Sequence, residues 1–195
     1  MPATEKTRCT WCTGSELEMR YHDKEWGRPL HDDQKLFEFL TLEGAQAGLS
    51  WVTILKKREN YREAFDNFEI ARIAKYSKRK IESLLKNPGI VRNRLKIEST
   101  VSNAKITLEI QQEHGSLDTY LWQFVDGKPI INHWKVHKQI PATSEQSDTM
   151  SKTLKKRGFR FVGSTICYAF MQATGMVNDH SSDCFRYPAK NNRVL

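Results

Sequence analysis

The sequence predicts an all-α protein, and three observations predict it. Apolar residues recur at helical spacing through nearly every segment. Ser, Asp and Asn stand where helices would begin, and Gly stands where they would end. No segment sustains the apolar–polar alternation of a half-buried strand, and no internal repeat is visible.

The elements follow in order. Asp32 or Asp33 caps a helix through LFEFLTLEGAQAG, where Leu36, Phe37, Leu40 and Ala47 share a face. Gly48 ends it, and Ser50 caps the next, WVTILKKRE. Shorter helices fit 61–66 and 69–76, and Ser77 caps one through 86. The turn NPGI then leads into a long helix that ends near Gly115, and Ser116 caps LDTYLWQF. Residues 126–145, with Gly127, Pro129 and Pro141, read as a loop; helices resume over 147–157 and 161–174. Both chain ends are poor in helix. Residues 1–188 are read as one domain, and the tail after Tyr187, with 189–195 at its end, is expected to be disordered.

Of 195 residues, 38% are apolar, enough for one domain or two small lobes sharing a core. No apolar run approaches the roughly 20 residues that span a bilayer, and MPATEKTRC lacks the apolar core of a secretory signal. A cytoplasmic protein without membrane contact is expected. Lys and Arg number 31 against 23 Asp and Glu, a net charge of +8 that favours polyanions through counterion release. The charge gathers at Lys78-Arg79-Lys80, at Arg92, Arg94 and Lys96, and at Lys152, Lys155, Lys156 and Arg157. Each run also suits an ordinary solvated helix face.

Cysteines occur at 9, 12, 167 and 184. Cys167 lies in an apolar helical pattern and reads as core. Cys9, Cys12 and His22 near one end, with His180 and Cys184 near the other, include the thiolates and imidazoles that four-coordinate zinc takes. Such a site would staple the two ends and turn binding energy into folding energy. Cys9 and Cys12 compete for one place in it, and the bland alternative is a surface His180 with an unrelated Cys184.

LLKNPGIVRNRLKI has the form helix, tight Gly turn, helix. A turn of this kind aims backbone N–H groups at a phosphate from a helix N-terminus, with Gly89 allowing close approach. Arg92, Asn93, Arg94 and Lys96 add donors and positive potential, which position a duplex without reading its bases. A plain interhelical corner has the same sequence form.

Trp11, Tyr21, Trp26 and Trp51 fall within the first 51 residues, and Glu43 lies among them in an apolar stretch. A carboxylate is costly to bury near aromatics unless paired or functional. The functional reading is a pocket for a flipped base, held between rings and read at its edge. An ionised carboxylate only accepts hydrogen bonds, so it selects exocyclic N–H groups and positive charge.

RCTW, YHDKEWG, LFEFLTLEGAQAGLSWVTILKKRENYREAF, NPGIVRNRLKI and LKKRGFRFVGSTICYAFMQATGMVNDH together resemble the bacterial 3-methyladenine DNA glycosylase I family, from Arg8 to Tyr187. The resemblance implies a helix-hairpin-helix glycosylase fold whose termini are clipped by one structural zinc, with Cys9, His22, His180 and Cys184 as ligands and Cys12 outside the set. It implies that Glu43 recognises the methylated base, that Tyr21 and Trp51 stack around it, and that Trp26 is a further pocket aromatic. Trp11 joins these as a base-binding candidate. Gly48 and Leu49 match the segment that approaches the gap left by the flipped nucleotide, where Leu49 would act as a wedge. Glu18 departs from the pattern, standing where the family often has a tyrosine near the pocket.

The implied activity is monofunctional hydrolysis of the N-glycosidic bond of 3-methyladenine in double-stranded DNA; a monomer is the default expectation, since nothing in the sequence suggests a self-complementary face. No Lys nucleophile is needed, and no Asp candidate for stabilising the sugar cation follows the hairpin helix. A non-catalytic binder of alkylation damage would share the hairpin, charge and aromatics. It would gain little from an acid in a polyanion-binding pocket.

Overall fold

Ten successive residues, Leu36 to Ala45, are buried on α2 (Asp33–Gln46). A helix buried all round must run through the middle of its domain. Around it pack α3 (Trp51–Ala64), α6 (Arg94–His114), α7 (Leu117–Trp122) and α9 (Ser164–Ala173). The computed structural model describes residues 6–188; residues 189–195, expected to form a disordered tail, lie outside them. Among the described residues, the remaining helices are α1 (Glu16–Lys24), α4 (Ile70–Ile73), α5 (Lys78–Leu85) and α8 (Glu145–Lys156), with short 3-10 turns between.

The caps carry much of this pattern. Asp32 accepts from the Lys35 N–H, Ser77 from Lys80, Asn93 from Lys96, Ser116 from Thr119 and Ser144 from Ser147. Each satisfies an N–H that the helix itself leaves free. Asp33 does different work: its carboxylate accepts from the Leu117 and Asp118 N–H groups (2.9 and 2.8 Å), capping α7 from across the fold.

Several expected boundaries move. α3 continues to Ala64, because Tyr61 and Ala64 are buried and no breaker interrupts 59–64. It stops where Asp66, Asn67 and Phe68 all take positive φ, and only the single turn Ile70–Ile73 follows. Ser50 precedes α3 but bonds the Thr53 hydroxyl (2.8 Å) instead of capping the helix backbone. α8 begins at Glu145, and α9 begins at Ser164, after the positive φ of Phe161. The expected loop 126–145 contains β1 (Ile130–Ile131), which pairs in parallel with β2 (Val177–Asn178). Two residues per strand are too few to leave a period in sequence.

The two chain ends meet beside α9. Gly27 N–H donates to the Gln172 carbonyl oxygen (3.0 Å), and Leu30 N–H to that of Thr174 (3.1 Å). Gly175 makes this possible: a Cβ there would lie 2.2 Å from the Arg28 carbonyl carbon, on backbone that cannot yield.

Candidate functional site

Three acidic or hydroxyl side chains are buried on α2: Glu38, Thr41 and Glu43. Glu38 is neutralised by Arg58 (2.6 Å) and Arg62 (2.8 Å). Glu43 has no hydrogen bond or ion pair among the described residues, although it is only 4% exposed. Burial pushes its carboxyl up to about 8. It lines a cavity of about 230 Å³ with Trp11, Tyr21, Trp26, Trp51, Gln46 and Gln172.

The four aromatics come from three stretches of chain and meet edge to face or tilted. Trp11 lies 5.0 Å from Trp26 and 6.3 Å from Tyr21, and Tyr21 lies 5.4 Å from Trp51. Such contacts fix ring orientation. Among the described residues, the buried Nε1–H groups of Trp11 and Trp51 have no partner. Buried polar groups are nearly always satisfied, so a lone carboxylate at a cavity marks a place for a ligand. Tyr21 is pushed well above the ordinary phenol range by burial and then by Glu43, which keeps it neutral.

The aromatic wall continues into a second cluster. Trp26 lies 4.7 Å from His180 and 6.0 Å from His22. Cys9, His22, His180 and Cys184 are all buried, and their ligand atoms lie within 4.8 Å of one another. The alternative of a surface His180 and an unrelated Cys184 is thereby excluded. The sulfur–nitrogen separations are 3.6 Å (Cys9–His180), 3.6 Å (Cys184–His180) and 3.4 Å (Cys184–His22). Tetrahedral zinc, with bonds of about 2.3 Å to sulfur and 2.0 Å to nitrogen, requires sulfur–nitrogen edges of roughly 3.5 Å. Each imidazole is turned by a partner on its far side. His22 Nδ1 meets Asp23 (2.9 Å), and His180 Nε2 meets the Trp26 carbonyl oxygen (3.2 Å), leaving His22 Nε2 and His180 Nδ1 for a cation. Hydrogen bonds from Cys9, then His180 and His22, hold the Cys184 thiol far below its usual range, while the bond to Cys184 pushes Cys9 up. Negative charge on a buried sulfur is the demand a cation meets. These four residues can hold a metal ion. Cys12 is not among them; its Sγ–H donates to the Cys9 carbonyl oxygen (3.1 Å).

The hairpin candidates divide. The turn between α5 and α6 uses most of its own N–H groups: Gly89 donates to Asn87 Oδ1 (2.8 Å), Val91 to the Tyr61 hydroxyl (3.2 Å) and Asn93 to the Val91 carbonyl oxygen (2.9 Å). Gly89 is required because a Cβ would sit 2.9 Å from the Cβ of Asn60 on α3. Asn93 serves as the α6 cap, and Lys96 donates to the Ala45 and Ala47 carbonyl oxygens (2.8 and 2.7 Å), tying α6 to the end of α2. Arg94 is engaged by Glu82 (2.8 Å) and Glu98 (3.6 Å). Arg92 is exposed, and no ion pair holds it among the described residues. Gly48 takes a φ of +81°, and Leu49 follows it 41% exposed, between the cavity residues Gln46 and Trp51.

Glu18 lies outside the cavity lining. Ser15 Oγ–H donates to its carboxylate (2.9 Å) while its N–H donates back to Ser15 Oγ, a reciprocal cap for α1. Sequence reasoning missed Gln46, His137, Ala169 and Gln172 in the lining. Gln172 carried a signal, as a polar residue four positions after Tyr168 on an otherwise apolar helix. His137 carried none, since only the fold brings its loop to the cavity.

Comparison with known proteins agrees with this geometry. The methyladenine glycosylase family model matches residues 11–187. DNA-3-methyladenine glycosylase of Haemophilus influenzae is 49% identical over 178 residues, covering 91% of this chain and 96% of that one. DNA-3-methyladenine glycosylase 1 of Escherichia coli is 46% identical, covering 93% and 97%. A crystal structure of 3-methyladenine DNA glycosylase I superposes with a TM-score of 0.91 at 50% identity, covering 93% of this chain and all of the other. The Staphylococcus aureus 3-methyladenine DNA glycosylase I, solved for its recognition of 3-methyladenine, gives 0.90 at 38% identity, covering 93% and 96%.

Proposed function

The chain belongs to the methyladenine glycosylase family, and we infer that it hydrolyses the N-glycosidic bond of 3-methyladenine in alkylated DNA. The observation that carries this reading is Glu43, a buried carboxyl with no partner of its own inside an aromatic cage. Methylation at N3 makes the nucleotide's base cationic. Ionised Glu43 attracts that charge and accepts from the exocyclic amino group, while the rings stack on the flipped base. Cation–π attraction adds to selection against neutral adenine. The base leaves as a neutral molecule, so its bond is already weak. The enzyme's task is to extrude the base and fix its orientation, with the interactions that strengthen along the way setting the rate.

Around this pocket we read α5, the 86–93 turn and α6 as a helix-hairpin-helix that anchors the duplex. Arg92 supplies its free cation, and the first N–H groups of α6 face the phosphates. Leu49, exposed and flanked in sequence by the cavity residues Gln46 and Trp51, is read as the wedge that fills the vacated stack. Zinc is the ion that fits Cys9, His22, His180 and Cys184. Its contribution there is folding energy, because four protein ligands leave no position for water. The protein is read as a monofunctional, monomeric, cytoplasmic enzyme; among the described residues no helix is long and apolar enough to cross a membrane.

The test is a gel assay on a methylated duplex. The enzyme should create alkali-labile abasic sites while leaving the untreated backbone intact. Saturable binding without abasic sites would replace this reading with a damage-binding protein, and strand breaks before alkali would refute monofunctional hydrolysis.

A further inference from the structure

The loop that follows β1 is braced at both ends and carries cations at its middle. Asp179, directly before the metal-cluster residue His180, is completely buried. Its Oδ1 accepts from Asn132 Nδ2 and Trp134 Nε1, and its Oδ2 from the Tyr168 hydroxyl and Gln172 Nε2, all at 2.7 Å. The Ser182 N–H donates to the Trp134 carbonyl oxygen (2.8 Å). These bonds fix the start of the loop. Gln139 closes its end, where Oε1 accepts from the Lys135 and Val136 N–H groups (2.8 and 3.1 Å). Between the braces, Lys135, Val136, His137 and Lys138 are all exposed, and no ion pair holds either lysine among the described residues.

This loop borders the opening of the base cavity. Glu43, Tyr21 and Trp26 are the buried part of the lining, whereas His137 is exposed and marks where the cavity meets solvent. His137 also lines an adjoining cleft of about 420 Å³, together with Lys135, Lys138, Arg8 and Asp183. Arg8 is paired with Asp23 (2.8 Å). The cleft therefore sets two exposed ammonium groups against one exposed carboxylate, Asp183.

A nucleotide whose base fills the cavity keeps its sugar and flanking phosphates outside, at that opening. Building on the glycosylase reading, we propose that Lys135 and Lys138 hold the DNA backbone beside the flipped nucleotide, a phosphate contact separate from the hairpin. A phosphodiester suits exposed cations, which position a strand without reading its bases. Because the loop is already braced, closing on a phosphate costs it little ordering entropy.

The experiment is the salt dependence of affinity for a duplex holding a stable abasic-site analogue, measured by fluorescence anisotropy. Each neutralised phosphate contributes about 0.9 to the slope of log affinity against log salt. The double variant Lys135→Ala/Lys138→Ala should lower that slope by about 2. Lys152→Ala/Lys155→Ala removes the same charge from exposed positions on α8 and should lower it by less than half as much. Calorimetric binding of free 3-methyladenine should be the same in the loop variant as in the wild type, since the lysines hold backbone and not base. An unchanged slope in the loop variant, an equal drop in the α8 variant, or weakened binding of the free base would overturn the assignment. If the wild-type protein released no base from methylated DNA, the glycosylase reading would fall, and the slopes would still decide whether the loop holds a strand.

Discussion

Replacing Glu43 by Gln should make the protein more stable and less active, and pH should govern the first effect. The carboxyl is buried without a partner, and burial lifts it from 4.5 to about 8. An acid raised in this way is destabilising wherever the unfolded chain ionises and the folded one does not. No cost exists below about 4.5; it grows as pH rises and is complete above about 8. At roughly 1.4 kcal/mol per pH unit, the cost at pH 7 is about 3 kcal/mol. Gln has nearly the same shape and no charge to release. Glu43→Gln should therefore melt with the wild type near pH 4.5 and higher at pH 7, by roughly 6–10 °C for a chain of this size. The same variant should lose about 10- to 100-fold in single-turnover excision, the worth of a hydrogen bond to a charged group. Scanning calorimetry at a series of pH values, beside excision rates, decides it. If the two proteins melt together from pH 4.5 to 8, Glu43 is not the unpaired buried acid described, and its selection of a cationic base loses its physical basis.

Three further outcomes follow from the same geometry. The kcat/KM for a cationic base should climb toward a plateau above about pH 8 as Glu43 ionises, and that limb should vanish in Glu43→Gln. If Cys9, His22, His180 and Cys184 hold a structural ion as proposed, Cys184→Ala should abolish metal binding, measured by elemental analysis, and cost about 4 kcal/mol or more of stability, while any protein that stays folded should excise at the normal rate. Arg92→Ala should weaken duplex binding for every sequence and lower the salt-dependence slope by about 1, whereas Arg94→Ala, already paired with Glu82 and Glu98, should change it less.

The parts of the fold legible in sequence are those that local chemistry decides. Asp32, Ser77 and Ser116 announce their helices because each cap bond closes within three residues. Glu43 was conspicuous because an acid among apolar residues contradicts its own solvation. Spacing alone left Cys9 and Cys12 in competition, and the resemblance chose the one that joins the cluster in space. What stayed hidden depends on contacts between distant residues. Asp179 collects donors from positions 132, 134, 168 and 172, and nothing near it in the chain reveals that. That Gly89 also has to admit Asn60 of α3 shows only in the fold. His137 reaches the cavity only because β1 and β2 bring its loop there. Local signals thus gave the helices and the suspects, while tertiary contacts decided which polar groups were already occupied.

The most direct test of the central claim is the identity of the base set free from a methylated duplex. The unpaired Glu43 carboxyl within its four-ring cage predicts that chromatography finds 3-methyladenine released while 7-methylguanine stays in the DNA. Release of both at similar rates, or of neither by folded, metal-loaded protein, would contradict it.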